Sequence, residues 1–390
     1  MSDKGKSVTR CRVCDSANIV DLGIERNFYL LNLDTTATLP YAFCLDCQFI
    51  FQAKYLGDEF ISNYYSRSLM FRRPEVSDIE TVVFGMQADF VSRQFDLRGK
   101  KVLEIGADTG QFLAFLHFAF NCDVYFDELS ETARGFLIER GYIKDFRALE
   151  KRPLLDLIVV RHTLEHIHDL SGFLKSLMPL MAKSGHLFIE VPDWSFLDEL
   201  TDPYHFEHLN QFSSANLTML LSRNGFIVER LEMDVVPLSK STPNRVLRVL
   251  ATKSPLAPVG NKAFKEDVLK HDRRLSRQHQ HLEKYLESIP PEARIALSPA
   301  SHMTFDLLGN KKLRERNIVG LFDNDPKKIG KKPFGLEIRP TPTISSFDPE
   351  HIFVLTIGGF ANEIVVKMKA LCPRARVIAI DQLSKQAETA

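Results

Sequence analysis

At 390 residues the chain is longer than one comfortable hydrophobic core, so two or three domains are expected. Hydrophobic residues make up 44%, the share of a folded globular protein, which excludes a largely disordered chain. Fifty Lys plus Arg against fifty Asp plus Glu leave no net charge, so neither a nucleic-acid backbone nor an anionic membrane surface is the expected partner.

The first ten residues, MSDKGKSVTR, are polar and lack the apolar core of a secretory signal, and no apolar run has the length of a membrane span. A cytoplasmic, reducing location is therefore expected. Two CxxC pairs follow, Cys11-Arg-Val-Cys14 and Cys44-Leu-Asp-Cys47. Two residues between cysteines let both thiolates reach one metal from a tight turn, and two such turns give the four soft ligands of a tetrahedral zinc. A closed four-thiolate site leaves no place for water, so its role is structural. Reduced bystander cysteines and an iron–sulfur site are the alternatives. Strand-like pieces surround the pairs at Asn18–Leu22 and Ala42–Phe51, and a polar and aromatic stretch with Tyr64 and Tyr65 runs from Asp58 to Arg73.

Helical spacing from Ile79 to Arg93 leads into an alternation of strands and helices. Val102–Ile105, Asp123–Phe126, Leu154–Val160 and His186–Val191 read as strands. Gly110–Phe120, Ser130–Arg140, Leu170–Met181 and Ser214–Asn224 read as helices, and Gly225–Met233 and Val246–Thr252 as two closing strands. This is a doubly wound α/β domain with a β-rich finish. A linker at Ser254–Asn261 and a long charged helix from Phe264 to Ser288 come next. A second, smaller Rossmann-like alternation follows, with strands at Arg294–Leu297, Asn317–Phe322, His351–Ile357 and Arg376–Ile380 and helices at Met303–Gly309 and Asn362–Leu371. The expected domains are 1–72, 73–253 and 290–390, with 254–289 as the connection.

The segment Val102-Leu-Glu104-Ile-Gly106-Ala107-Asp108-Thr-Gly110 passes from a buried strand through a glycine-bearing turn into a helix. Glycine is needed where backbone passes close to a ligand. The loop resembles motif I of class I methyltransferases, with Asp108 in place of the middle glycine. A nicotinamide dinucleotide is the competing ligand, but its fingerprint has a different glycine spacing. After the next strand come Asp127 and Glu128, where a carboxylate can accept both ribose hydroxyls of an adenosine. Glu128 aligns best with the family's acidic residue, with Asp127 as the alternative. S-adenosylmethionine is the expected cofactor, bound by Glu104, Gly106, Ala107, Asp108, Gly110, Asp127, Glu128 and His162.

Ligands of open α/β sheets lie at the carboxyl ends of strands, where Arg161-His162-Thr-Leu-Glu165-His166-Ile-His168 and Tyr204-His205-Phe-Glu207-His208 are both expected. Two histidine–carboxylate clusters at such ends can form one acid/base site. His162-x-x-Glu165-His166 also spells the inverted zinc-protease pattern, which needs a helix and a distant third ligand. His168 reads as a surface residue, and His162 can cap or line the cofactor pocket.

Over nearly its whole length the chain resembles the sugar C-methyltransferases of deoxysugar biosynthesis. The shared features are CxxC…CxxC, EIG-x-x-x-G, the HI of His166-Ile167, EVP at 190–192 and Glu207-His208-Leu before Phe212-Ser213. The resemblance implies a class I methyltransferase Rossmann-like domain flanked by an N-terminal zinc-binding module and a second C-terminal Rossmann-like domain. It implies a nucleotide-linked keto-sugar acceptor, deprotonated next to its ketone so that the enolate takes the sulfonium methyl. By position His166, Glu207 and His208 are the catalytic candidates, with Tyr65 on a covering loop. The family's tyrosine falls on His205 without a gap and on Tyr204 with a one-residue shift. In the C-terminal domain Ser298-Pro-Ala-Ser-His302 replaces a glycine-rich turn, which disfavours a dinucleotide there, while Lys327 and Lys328 could meet a diphosphate. Other readings are an O- or N-methyltransferase of another small molecule, a zinc-ribbon RNA methyltransferase, or a methyltransferase-like binding scaffold without activity.

Overall fold

The computed structural model describes residues 6–31, 33–66, 77–197, 204–237, 243–253, 280–356 and 359–380. The chain divides into two compact units: 1–23, 40–239 and 243–265 form the first, and 24–39, 240–242 and 266–390 the second. The zinc-module residues 1–23 and 40–72 therefore group with the first unit, and 24–39 with the second.

Strands β1 (Lys6–Ser7), β2 (Ile19–Leu30), β3 (Thr35–Cys44), β4 (Ile50–Gln52) and β5 (Lys54–Tyr55) surround the cysteine turns, and β2 and β3 run on into the 24–39 stretch of the second unit. β3 pairs antiparallel with β4, and β4 with a two-residue strand from far along the chain, Asn210–Gln211. The expected single strand over 42–51 is thus two strands with the second CxxC turn between them. Helix α1 covers Asp58–Ser66, and α2 covers Asp78–Ser92 behind a Ser77–Glu80 capping box that satisfies backbone N–H groups at its start.

The alternation then runs β6 (Lys101–Ile105), α3 (Gln111–Phe120), β7 (Asp123–Asp127), α4 (Glu131–Glu139), β8 (Lys144–Asp145), β9 (Leu155–Arg161), α5 (Leu170–Leu177), β10 (Met181–Pro192), β11 (Asn210–Gln211), α6 (Ser214–Arg223), β12 (Phe226–Pro237) and β13 (Pro243–Lys253). The main sheet has the order β12-β13-β10-β9-β6-β7-β8. β10, β9, β6, β7 and β8 are parallel, and β13 and β12 close the edge as an antiparallel pair. Period-two alternation sends Leu103, Ile158 and Val160 into one core and Val102, Leu157 and Val159 into the other. That double burial is why β9 is a near-continuous apolar run. This is the expected doubly wound α/β topology with an antiparallel finish, and it places the ends of β6, β7, β9 and β10 along one edge.

In the second unit a helix over 280–287, α7, precedes β14 (Ile295–Ser298), α8 (His302–Leu308), α9 (Lys311–Arg314), β15 (Ile318–Asp323), β16 (Ile338–Pro340), β17 (His351–Val354), α10 (Gly359–Leu371) and β18 (Arg376–Ala379). All five strands are parallel, in the order β16-β15-β14-β17-β18. Tyr29 packs its ring on Phe305 and Phe334 within this unit. Lys328 is held by Asp323 Oδ2 at 3.1 Å and the Ala300 carbonyl at 2.9 Å, so its ammonium already has an internal partner. The linker at 254–261 and the long helix up to 279 lie outside the described residues. No described helix is long and apolar enough to cross a membrane.

Candidate active site

At the end of β6 the chain turns through Gly106 (φ 72°), Asp108 (φ 48°) and Gly110 (φ 71°) into α3. A Cβ on Gly106 would lie 2.4 Å from Thr163 Oγ1, and one on Gly110 2.3 Å from Leu137 Cδ2. Positive φ and close approach together make both positions glycine's. Asp108 takes the middle position because aspartate tolerates the left-handed region better than most residues. The departure from the usual glycine therefore leaves the turn intact.

Glu128, just beyond β7, staples this turn from the side. Its Oε2 accepts the Asp108 N–H at 2.9 Å and its Oε1 the Ser130 N–H at 2.7 Å. Glu128 also lines the cavity beside this turn. Asp127 is engaged differently, its Oδ1 lying 2.6 Å from the Arg147 guanidinium. Glu104 is fully buried and does not line the cavity, but pairs with Arg161 at 2.7 Å. Arg161 in turn lies over the Phe112 ring at 4.3 Å and donates to Gln87 Oε1 at 3.1 Å.

At the end of β9, His162 (φ 46°) turns the chain sharply before a single 3₁₀ turn, Leu164–His166. The helix that an inverted zinc-protease motif requires is absent here. His162 lies 3.5 Å from Glu165 and 3.3 Å from Glu190. Burial alone would lower its pKa, but the two carboxylates outweigh burial and raise it to about 9. His166 Nδ1 lies 2.9 Å from the Glu207 carbonyl, so its N–H is spent on the backbone and Nε2 is left as a base. Burial lowers the His166 pKa and keeps the ring neutral. Tyr64 donates its hydroxyl to Glu207 Oε1, and the Tyr65 ring meets His166 edge-on at 6.1 Å. Burial and the charge of Glu207 raise the pKa of both phenols well above normal.

One cavity of about 650 Å³ joins these pieces. Gly106, Ala107, Asp108, Asp127, Glu128 and His162 line it together with His166, Glu207 and Tyr65. The His208 ring lies behind this wall, 5.1 Å from His166 and 4.7 Å from His205. Tyr204 packs instead on Tyr41 and Trp194. The structure therefore gathers most of the expected residues and leaves Glu104, Gly110, Tyr204, His205 and His208 off the wall itself. Sequence reasoning passed over Arg161, Arg147 and Gln87. A charged residue ending an otherwise apolar buried strand, as Arg161 does, was the available signal.

The other cluster brings four sulfurs together. Cys11 Sγ lies 3.4 Å from Cys47 Sγ, and Cys14 Sγ 3.5 Å from Cys44 Sγ. Each CxxC ends in a left-handed residue, Asp15 (φ 60°) or Gln48 (φ 62°), whose N–H bonds back to the carbonyl of the first cysteine. The two turns are built alike.

Residues 83–231 match a family described as a methyltransferase domain. No curated protein matches the chain. Among solved structures, it is similar to an S-adenosylmethionine-dependent methyltransferase from Aquifex aeolicus at 18% identity, over 42% of this chain and 88% of that one, with a TM-score of 0.33. It is also similar to a putative S-adenosylmethionine-dependent methyltransferase from Listeria monocytogenes at 15% identity, over 44% and 100% of the two chains, with a TM-score of 0.34. By this match the chain carries a methyltransferase domain over residues 83–231.

Proposed function

We propose that this methyltransferase acts on a nucleotide-linked keto-sugar or a related small metabolite, methylating carbon after base-assisted enolate formation. The observation that carries the reading is the continuity of the cavity, from the Gly106–Asp108 turn and Glu128 to His166, Glu207 and Tyr65. The turn offers backbone to a ligand, because Gly106, Ala107 and Asp108 all line the cavity and Gly106 carries no side chain. Bound S-adenosylmethionine supplies an electrophilic methyl whose leaving group is a neutral thioether. The chain's own task is then the nucleophile, which must lose a proton near neutral pH. His166, neutral and with Nε2 available, takes that proton, and the Glu207 carboxylate stabilises the charge that results. Tyr65, kept protonated, can donate to an acceptor oxygen.

Glu128 is the residue on which the ribose hydroxyls would rest. Glu128→Ala is expected to weaken cofactor binding by about thirtyfold, on the order of 2 kcal/mol, as measured by calorimetry. Asp127→Ala should cost less, since Arg147 occupies that carboxylate. The reverse order would shift the ribose to Asp127, and no effect from either would remove the cofactor assignment.

The four cysteines are the donor set of a structural zinc, which their left-handed turns and paired sulfurs support. After dialysis against a mild chelator, metal analysis is expected to give one zinc per chain. Cys44→Ser should lose it and lower stability more than it changes turnover. A fully folded wild type without metal would contradict this. Such thiolates need a reducing compartment, consistent with the cytoplasm.

A further inference from the structure

Beside the acceptor end of the cavity lies a group that proton transfer alone does not explain. Glu165 is 1% exposed, and among the described residues neither of its carboxylate oxygens has a hydrogen-bond donor within bonding geometry. Its closest ion-pair contact is His162 Nδ1 at 3.5 Å. Burying a carboxylate is costly unless positive charge and hydrogen bonds compensate it, and His162 supplies charge from one side only, leaving both oxygens without a hydrogen bond from the described residues. One carboxylate oxygen of Glu165, one ring nitrogen of His166 and one of His208 all lie within 4.8 Å of one another.

We propose that Glu165, His166 and His208 form a binding site for a divalent transition-metal ion, distinct from the four cysteines. Two imidazoles and one carboxylate suit zinc or manganese, and three protein ligands leave the open position that marks a working rather than a structural site. The outer contacts agree. A metal-ligating histidine commonly donates its other N–H to a backbone carbonyl, as His166 Nδ1 is placed to do toward Glu207. The ligands come from the turn after β9 and from the segment before β11, which Asn210 ties together through its side-chain NH₂ to the Ile167 carbonyl at 2.8 Å. Because His166 also lines the cavity, the open position borders the acceptor, where a carbonyl or hydroxyl oxygen would complete the coordination. The inference rests on the reading of this crevice as the acceptor end. When the ion is bound it takes His166 Nε2 out of the base role: the imidazoles become ligands, the ion polarises the acceptor oxygen, and Glu207 takes the proton.

The test is a zinc count. Full-length wild type and Glu165→Gln, each equilibrated with excess Zn²⁺ and freed of unbound metal by gel filtration, are analysed by mass spectrometry for zinc per chain. Wild type should hold two and Glu165→Gln one, with Glu165→Gln binding S-adenosylmethionine like wild type as proof of folding. His208→Gln should also hold one. A wild type that stops at one zinc overturns the site, as does a folded Glu165→Gln that keeps two. The two proposals fail separately. One zinc in a wild type whose methyl transfer depends on His166 removes the metal and keeps the acceptor reading, whereas two zincs with turnover indifferent to His166 and His208 does the opposite.

Discussion

Replacing His166 with alanine is expected to lower methyl transfer by about 10²–10⁴-fold while leaving S-adenosylmethionine affinity nearly unchanged. The size follows from the role, since a positioned base contributes about that factor and the sulfonium needs no help to depart. The lack of effect on affinity follows from geometry. The cofactor turn is held by its own glycines and by the Glu128 staple, neither of which touches His166. His208→Ala should also lower methyl transfer, because its ring packs 5.1 Å from that of His166 and helps hold it in place. With a keto-sugar, wild type should exchange the proton next to the ketone for solvent deuterium whenever enolate formation is reversible, and at least one of the two variants should lose the exchange. Unchanged turnover in both would make the histidines structural and send the search for the base to Tyr65, His205 or Tyr204.

Arg248→Leu is expected to destabilise the first unit by about 3–5 kcal/mol in urea unfolding at neutral pH. Arg248 and Glu190 are both buried, and Arg248 reaches Glu190 Oε2 at 2.6 Å and Asp234 Oδ2 at 2.7 Å. Leucine removes the cation and leaves its anionic partners inside. Glu190 also accepts from Gln87 at 2.6 Å and faces His162, so the network runs beneath the cavity floor. Burial by itself would raise the Glu190 pKa, but the His162 hydrogen bond and charge, with Arg248 and Arg161, bring it from 4.5 down to about 2. A depressed carboxylate stabilises the fold above its unfolded pKa and ceases to do so as pH falls through its folded value. Wild type should therefore lose on the order of 3 kcal/mol between about pH 4.5 and pH 2 from this group. The variant should show a shallower loss over the same window. A variant within 1 kcal/mol of wild type at neutral pH would mean that the network contributes little.

The strands of the main sheet were legible because burial on both faces writes a continuous apolar run, as in Leu155–Arg161. The cofactor turn was legible because positive φ at Gly106 and Gly110 leaves few residue choices. What the sequence hid are contacts between distant residues. Nothing local says that Gln87 meets Glu190, or that Asn210–Gln211 pairs with Phe51 and Ile50. That pairing joins the segment bearing Glu207 and His208 to the sheet of the cysteine turns, and so helps fix the acceptor wall. The inverted zinc-protease spelling, disfavoured from the sequence, fails for a local reason. His162 adopts a left-handed conformation that ends any helix before it begins, and the two imidazoles that gather with Glu165 as a ligand set are those of His166 and His208.

Calorimetric titration of the full-length protein with S-adenosylmethionine tests the central claim most directly. The cavity over Gly106–Asp108 predicts saturable binding of one cofactor per chain, weakened about thirtyfold by Glu128→Ala. No saturable binding to the folded wild-type protein at millimolar cofactor would contradict it.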